Sequence, residues 1–263
     1  MTEFGRVITQ NEHNLHNGNF QSSGEIESAH EFEFYSEVIA MRKQAVSYIA
    51  RVLVQKIIGF LLYMIGARFI LTYAGSIYFI YLFIATIIIS LVLFKSNEET
   101  LAQRGKTDTD SPVWDKVLLT LFWLLNYFVV YWLAGVSETE EHFTIVYWYG
   151  IIITLFAAWF STKATLENTF LESTARIQSD RKQTVCMTGP YRIVRHPAYS
   201  GLVLNCIGLC MIFPYLSVWV CMAITVVIIF IRTALEDKML KDGLDGYLEY
   251  ANRTKYKLIP FIW

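Results

Sequence analysis

Charge is what this chain has least of. Asp, Glu, Lys and Arg make up 17% of its 263 residues, against roughly 25% in soluble domains. A water-soluble globule is therefore a poor fit. The net charge of -1 argues against a nucleic-acid partner, which needs a basic face. Cysteine is sparse as well. Cys186, Cys206, Cys210 and Cys221 form no CxxC pair, so neither a disulfide framework nor a zinc or other metal site is expected. They read as small buried hydrophobes. The polar N-terminal stretch also lacks the basic and apolar segments of a secretory signal.

What the chain has instead is hydrophobic sequence, 54% of it. A helix needs about 20 apolar residues to cross the hydrocarbon core. Residues 57–74, 76–94, 117–135 and 143–161 each satisfy that length. Residues 199–233 are too long for one span, and Pro214 and Ser217 near the middle predict a tight hairpin of two short helices. Lys and Arg are missing from the junctions near 75, at 136–142 and near 214. They recur in 95–116, in 162–198, in the N-terminal flank (Arg42, Lys43, Arg51, Lys56) and in the C-terminal tail. By the positive-inside rule this alternation predicts an all-α polytopic integral membrane protein. It has about six transmembrane helices, the last two forming a C-terminal hairpin, with both termini cytoplasmic. The bacterial inner membrane and the endoplasmic reticulum are the expected settings.

The predicted organisation has three parts. Residues 1–50 form a polar region, partly disordered. Residues 51–161 hold four transmembrane helices. Residues 162–263 form a core with a cytoplasmic cofactor-binding region. Apolar residues spaced among charges over 31–56 fit a helix lying along the interface, or equally a cap on the cytoplasmic face. No separate soluble catalytic domain is visible, so chemistry must come from cytoplasmic loops and helix ends. Arg68 falls inside the first predicted span, where an ionisable residue is costly and a functional candidate by default; otherwise it snorkels outward or pairs structurally. Asn126 and Asn205 are expected to hydrogen-bond between helices.

The densest polar chemistry is TGPYRIVRHPAYSG, residues 188–201, directly before the hairpin. Pro190 and Pro197 each remove a backbone donor and push the preceding residue towards extended geometry. Gly189 and Gly201 are expected to let backbone approach a ligand closely. The prediction is a rigid irregular loop presenting amides, His196 and tyrosines to a polar cofactor at the membrane surface. A purely lipid-binding basic loop would explain the arginines, but not the prolines and histidine between them. Beyond the hairpin, Arg232 and Glu236 are four residues apart and share a helix face. Arg232 stands at the end of an uncharged run. It is either a snorkelling partner of Glu236 or a receptor for an anionic group on a lipid.

These residues carry a resemblance. GPYRIVRHPAYSG, an apolar hairpin, Arg232 with Glu236-Asp237, and GYLEYANRTKYKLIPFIW together resemble the isoprenylcysteine carboxyl methyltransferase family and the related phospholipid methyltransferases. The run before the motif looks like the bacterial branch. The resemblance covers roughly residues 160–263 and implies a membrane enzyme that uses S-adenosylmethionine. It implies cofactor contacts at Tyr191, His196, Pro197, Ala198, Tyr199 and Glu236. Gln178, Gln183, Thr184, Val185 and Cys186 would form an upstream wall. It also implies catalytic roles for Arg232, on the acceptor carboxylate, and for Glu236. The chain departs from the family in Glu236-Asp237, where paired glutamates are usual, and in Gly243-Leu244, where Phe-Gly is usual.

The implied partner is a prenylated or other lipid-borne acceptor reaching the site from the bilayer, with membrane lipids around it. A free α-carboxylate has a pKa near 3.5, so it is already a nucleophile and needs no general base. Two other enzymatic readings share the motif: a lipid-amine N-methyltransferase and a sterol-type reductase using a nicotinamide cofactor. A non-enzymatic scaffold or transporter fits less well, because polar residues are sparse along the spans. The topology gives the first prediction. Cysteines placed at Ser137 and Asn252 should label differently with an impermeant thiol reagent added to intact cells. Equal labelling would contradict six spans with cytoplasmic ends.

Overall fold

The computed structural model describes residues 20–106, 110–138 and 144–263, with side chains from Tyr35 onward. Among these residues the chain is all-helical. In order the helices are α1 (Phe20–Gly66), α2 (Tyr73–Ser96), α3 (Glu98–Gly105), α4 (Val113–Ser137), α5 (Ile145–Glu167), α6 (Pro197–Ile212), α7 (Leu216–Gly243) and α8 (Tyr247–Arg253). Residues up to Lys43 form one unit, helical from Phe20, and Gln44–Trp263 form the other.

The Tyr35–Gly66 part of α1, together with α2, α4, α5 and α7, is long and apolar enough to cross a membrane. Helix α6 has only 16 residues, about 24 Å of helix. It pairs with α7 across a break at Phe213–Tyr215, beside the expected Pro214. The surface is apolar: Ile80, Ile84 and Leu91 on α2, Ile152 and Trp159 on α5, and Val220 and Val227 on α7 are all exposed. Such faces are a liability in water and suit contact with lipid. The protein is thus a polytopic membrane bundle.

Its interior is held by close approach and by hydroxyls. The Tyr78 and Tyr131 hydroxyls lie 2.8 Å apart, and Tyr147 donates to the Ala74 carbonyl at 2.8 Å. A Cβ on Gly208 would fall 3.0 Å from the Gly150 carbonyl, and one on Gly201 would fall 3.0 Å from the Ala157 carbonyl. Small residues at these crossings bring α5 and α6 together, as is usual where lipid leaves no hydrophobic force between helices. Gly201 therefore serves helix packing, not the expected approach to a ligand. A π turn at Leu125–Val129 interrupts α4 and carries buried Asn126. Its Oδ1 lies 3.9 Å from Cys206 Sγ on α6, the interhelical role expected of it.

The first span is displaced from its expected place. It ends at Gly66, not near residue 74. The amides of Ala67 and Phe69 donate back to Tyr63 and Met64 at 2.8 and 2.7 Å, and Arg68 and Phe69 take left-handed φ of 51° and 63°. Arg68 consequently lies exposed in a turn outside the helix. Its position inside a span is corrected, because the chain reverses before the apolar run is finished. Lys56, expected in the flank, instead lies ten residues before Gly66, about 15 Å along the helix from that end.

The turn at 67–72, the end of α4 and the α6–α7 break gather at one end. Thr72 and Tyr63 donate to the Glu138 carboxylate, and the Ser137 and Ser217 hydroxyls are 2.8 Å apart. At the opposite end, α3 meets the segment between α5 and α6. Asn97 Nδ2 donates to the Thr165 carbonyl at 3.2 Å, and the Thr100 hydroxyl donates to the Thr169 carbonyl at 3.2 Å. Backbone packing at Gly135 can be tested directly. A Cβ there would collide with the Tyr63 carbonyl and lie 2.9 Å from Ala67 N. Gly135→Ala should destabilise by about 1–3 kcal/mol, as overpacking does, lowering the thermal midpoint in detergent. Exposed Val136→Ala should leave it unchanged.

Candidate active site

The segment after α5 is irregular because its polar side chains bind backbone in place of one another's helical partners. Gln178 is buried, and both ends of its amide are committed: Nε2 donates to the Phe170 carbonyl at 2.7 Å, and Oε1 accepts from Arg181. Gln183 Oε1 accepts from Gln178 N at 2.8 Å. Arg176 grips both oxygens of Glu172 at 2.9 Å. From α3, Arg104 Nε donates to the Leu171 carbonyl at 3.1 Å. Lys182 and Gly189 turn the chain with left-handed φ of 50° and 53°. Between them Thr184, Val185 and Cys186 have no regular structure, and their backbone amides meet no acceptor among the described residues.

The motif itself is bolted to α7 and to the tail. Arg195 is buried; Nε and Nη2 donate to the two oxygens of Asp237 at 2.7 and 3.2 Å, and Nη1 donates to the Thr254 and Lys255 carbonyls at 2.7 and 2.8 Å. The amides of Arg195 and His196 donate to the Tyr256 and Lys257 carbonyls at 2.9 Å each. Tyr250 Oη donates to the Tyr191 carbonyl at 2.7 Å, and Ser200 Oγ donates to the Leu258 carbonyl at 2.6 Å. A guanidinium held by a carboxylate fork and two carbonyls has little freedom. Arg195 thereby fixes the residue beside it, His196.

His196 stacks on Tyr199 with ring centres 5.8 Å apart. Its Nε2 is 3.3 Å from Tyr247 Oη and 3.5 Å from Asp237 Oδ1. Its Nδ1 lies 4.0 Å from Glu236 Oε1, and Tyr199 Oη donates to Glu236 Oε2 at 2.5 Å. Burial raises the Tyr191, Tyr247 and Tyr250 phenols well above their ordinary value. They stay protonated at neutral pH and act as donors, not bases. Every residue expected to contact a cofactor, from Gln178 through Cys186 and Tyr191 through Tyr199 to Glu236, lines a single cleft with Tyr247 and Tyr250.

Arg232 lies outside that cleft, in the wall of a second, mainly apolar groove reaching Leu119, Phe122 and Phe128 of α4. Leu171, Glu172, Ala198 and Tyr199 line both spaces, so the two meet there. Arg232 is not a snorkelling helix-end residue. It is buried: Nε donates to Asp115 Oδ1 at 2.7 Å, Nη2 donates to the Ser173 carbonyl at 2.6 Å, and Tyr199 lies under the guanidinium at 5.4 Å. Its ion-pair partner is Asp115, a residue the sequence analysis missed, and not Glu236. Asp115 is fully buried and also accepts from Ala175 N at 2.8 Å. An acidic residue in the first turn of a helix is ordinary, so nothing local marked it.

This pair can be tested. Asp115→Asn leaves Arg232 buried beside a neutral group, and breaking a buried pair by removing one charge typically costs about 3–5 kcal/mol. A thermal melt should show a large fall, and Asp115→Glu should not restore it, because the longer side chain cannot serve Arg232 and Ala175 together.

Two comparisons bear on identity. A search of curated proteins gave no match. The family model for phospholipid methyltransferase matches residues 145–244, from the first residue of α5 through the cleft loop, α6 and α7. Over these residues the chain is similar to the phospholipid methyltransferases, which share a superfamily with the isoprenylcysteine carboxyl methyltransferases.

Proposed function

We propose that the protein transfers a methyl group from S-adenosylmethionine to an acceptor carried on a lipid, and specifically to a carboxylate such as that of a prenylcysteine. One observation carries this reading: a polar cleft and an apolar groove share the wall Leu171–Glu172 and Ala198–Tyr199. A water-soluble donor and a membrane-borne acceptor would meet there. The basic loops around the cleft support a cytoplasmic site by the positive-inside rule.

The cleft suits the donor chemically. Its irregular edge at Thr184–Cys186 offers unpaired amides, and its walls include Tyr191, Tyr247 and the Glu236 carboxylate. Gln178 contributes by shape, since its amide is already spent on Phe170 and Arg181. Bound S-adenosylmethionine supplies an electrophilic methyl group on a sulfonium. Glu236, steered by Tyr199 and facing His196, supplies negative charge beside it. Arg232 has one nitrogen, Nη1, without a hydrogen bond among the described residues. It orients the acceptor by a single contact. With the acceptor ionised, the work left is alignment.

Glu236 also favours a second reading, because a carboxylate in the cleft, held by Tyr199 of the shared wall, can take the proton a lipid ammonium must lose. The pH profile separates the two. A carboxylate acceptor is fully ionised above about pH 5, so its rate is flat from pH 6 to 8. An amine rate climbs over the same range as the ammonium deprotonates.

The test is donor binding followed by transfer. Glu236→Gln and His196→Ala should each weaken S-adenosylhomocysteine binding by calorimetry. For Glu236→Gln the loss of a charged contact of about 2–4 kcal/mol corresponds to roughly 30- to 1,000-fold. Radiolabelled methyl should then pass to a prenylcysteine in preference to a lipid amine or a fatty acid. Unchanged affinity in both variants would remove the cleft as the donor site. Arg232→Ala is a poor test of turnover, since it strands buried Asp115.

A further inference from the structure

Asn168 closes the end of α5 and lines the cleft. Its backbone N–H donates to the Ala164 carbonyl at 3.2 Å, and its carbonyl accepts from Leu171 N at 3.1 Å. In the side chain, Oδ1 accepts from Phe170 N at 3.0 Å, and Nδ2 donates to Tyr191 Oη at 3.2 Å. The first of these side-chain contacts fixes the second. A backbone N–H can only donate, so the amide oxygen has to face Phe170 and the NH2 has to face Tyr191. The Tyr191 oxygen is therefore an acceptor towards Asn168, and its own proton points elsewhere. That proton meets no acceptor among the described residues. Tyr191 is only 5% exposed, and a buried donor left unmet is costly. Burial raises the phenol well above its ordinary pKa, against a smaller downward pull from Asn168, so the proton stays on.

The surroundings decide which kind of acceptor fits. Tyr191 packs in an apolar cluster with Ala164, Leu240, Tyr247 and Tyr250, bordered by Val185 and Leu244. An anionic ligand group in such a place needs a counter-charge. Both arginines that line the cleft are already occupied, Arg176 by Glu172 and Asp180, and Arg195 by Asp237. A flat, neutral heterocycle suits the apolar walls, and a lone pair on one of its ring nitrogens takes the proton. We propose that Asn168 is a positioning residue of the donor cleft: it holds the Tyr191 hydroxyl as a one-way donor, so that the cleft selects a purine ring nitrogen that accepts a hydrogen bond. The inference rests on the methyl-donor reading and deepens it, naming the base as the part of the donor that Tyr191 recognises. Asn168 itself touches no ligand and acts through Tyr191.

The test is a two-residue cycle read by calorimetric binding of S-adenosylhomocysteine to the full chain in detergent. Asn168→Asp keeps the oxygen that Phe170 N needs and puts a second oxygen where the NH2 was. The Tyr191 proton then turns to that oxygen and leaves the cleft. Affinity should fall about 5- to 100-fold, the range for losing a buried donor contact, and Tyr191→Phe should fall by a similar factor. The double variant should be no weaker than Tyr191→Phe alone, because the two residues act as one unit. Thermal melts confirm that each variant is folded. The unaltered protein supplies an independent arm, with three analogues of S-adenosylhomocysteine that carry C–H in place of N1, N3 or N7. One of them should bind wild type about 5- to 100-fold more weakly than the parent compound, and that deficit should vanish in Tyr191→Phe. An Asn168→Asp loss that is the same with and without the Tyr191 hydroxyl makes Asn168 a fastener of the loop only and overturns the proposal. An equal response of wild type to all three analogues overturns it too. Failure of wild type to bind S-adenosylhomocysteine at all defeats the methyl-donor reading and this inference with it, whereas binding with no loss in either single variant defeats this inference alone.

Discussion

The buried pair between Arg232 and Asp115 is the constraint on which the site depends. Neither charge can be left alone where it lies, because an unpaired buried ion costs several kcal/mol. Satisfying both fixes three parts of the chain at once. Asp115 belongs to the first turn of α4 and Arg232 to the late turns of α7; Ser173 and Ala175 lie on the loop between α5 and α6. The pair therefore draws that loop down onto the helix ends. In doing so it sets Leu171 and Glu172 as the partition shared by cleft and groove.

A second buried pair, Arg195 with Asp237, does the same for the motif and the tail. Tyr247 Oη donates to Asp237 at 3.1 Å, and Lys241 Nζ stands 3.0 Å from it. The Thr254 and Lys255 carbonyls complete the shell of Arg195. Successive residues of α7 thus take opposite duties. Asp237 is structural and faces Arg195, whereas Glu236 is held by Tyr199 and borders the cleft. A site built this way keeps its polar groups in place without a soluble domain.

Parts of this were legible in the sequence because the signals are local. Pro214 marked the hairpin break, and the dense motif at 188–201 marked the loop that lines the cleft. The runs of apolar residues gave the helices α2, α4 and α5 nearly in register. What escaped was non-local or ambiguous. Hydropathy alone could not tell that α1 stops at Gly66, since Phe69, Ile70 and Leu71 continue the apolar run without Gly or Pro. That error put Arg68 inside a span and Lys56 in its flank, whereas Arg68 lies in the turn after α1 and Lys56 lies within the helix. Asp115 and Arg232 are 117 residues apart in the chain, so no spacing rule joins them. Gly201 was read as a ligand approach because a glycine that admits a cofactor and one that admits a neighbouring helix look alike in sequence.

The central claim is that the cleft between the motif and α7 receives the methyl donor. It is met most directly by determining the structure of the protein in lipid nanodiscs with saturating S-adenosylhomocysteine. The account predicts density for the ligand between Tyr191, His196 and Glu236, with its sulfur directed at the Ala198–Tyr199 wall. A cleft empty of ligand at saturation, or a ligand seated anywhere that does not open onto the groove of Arg232, would contradict it.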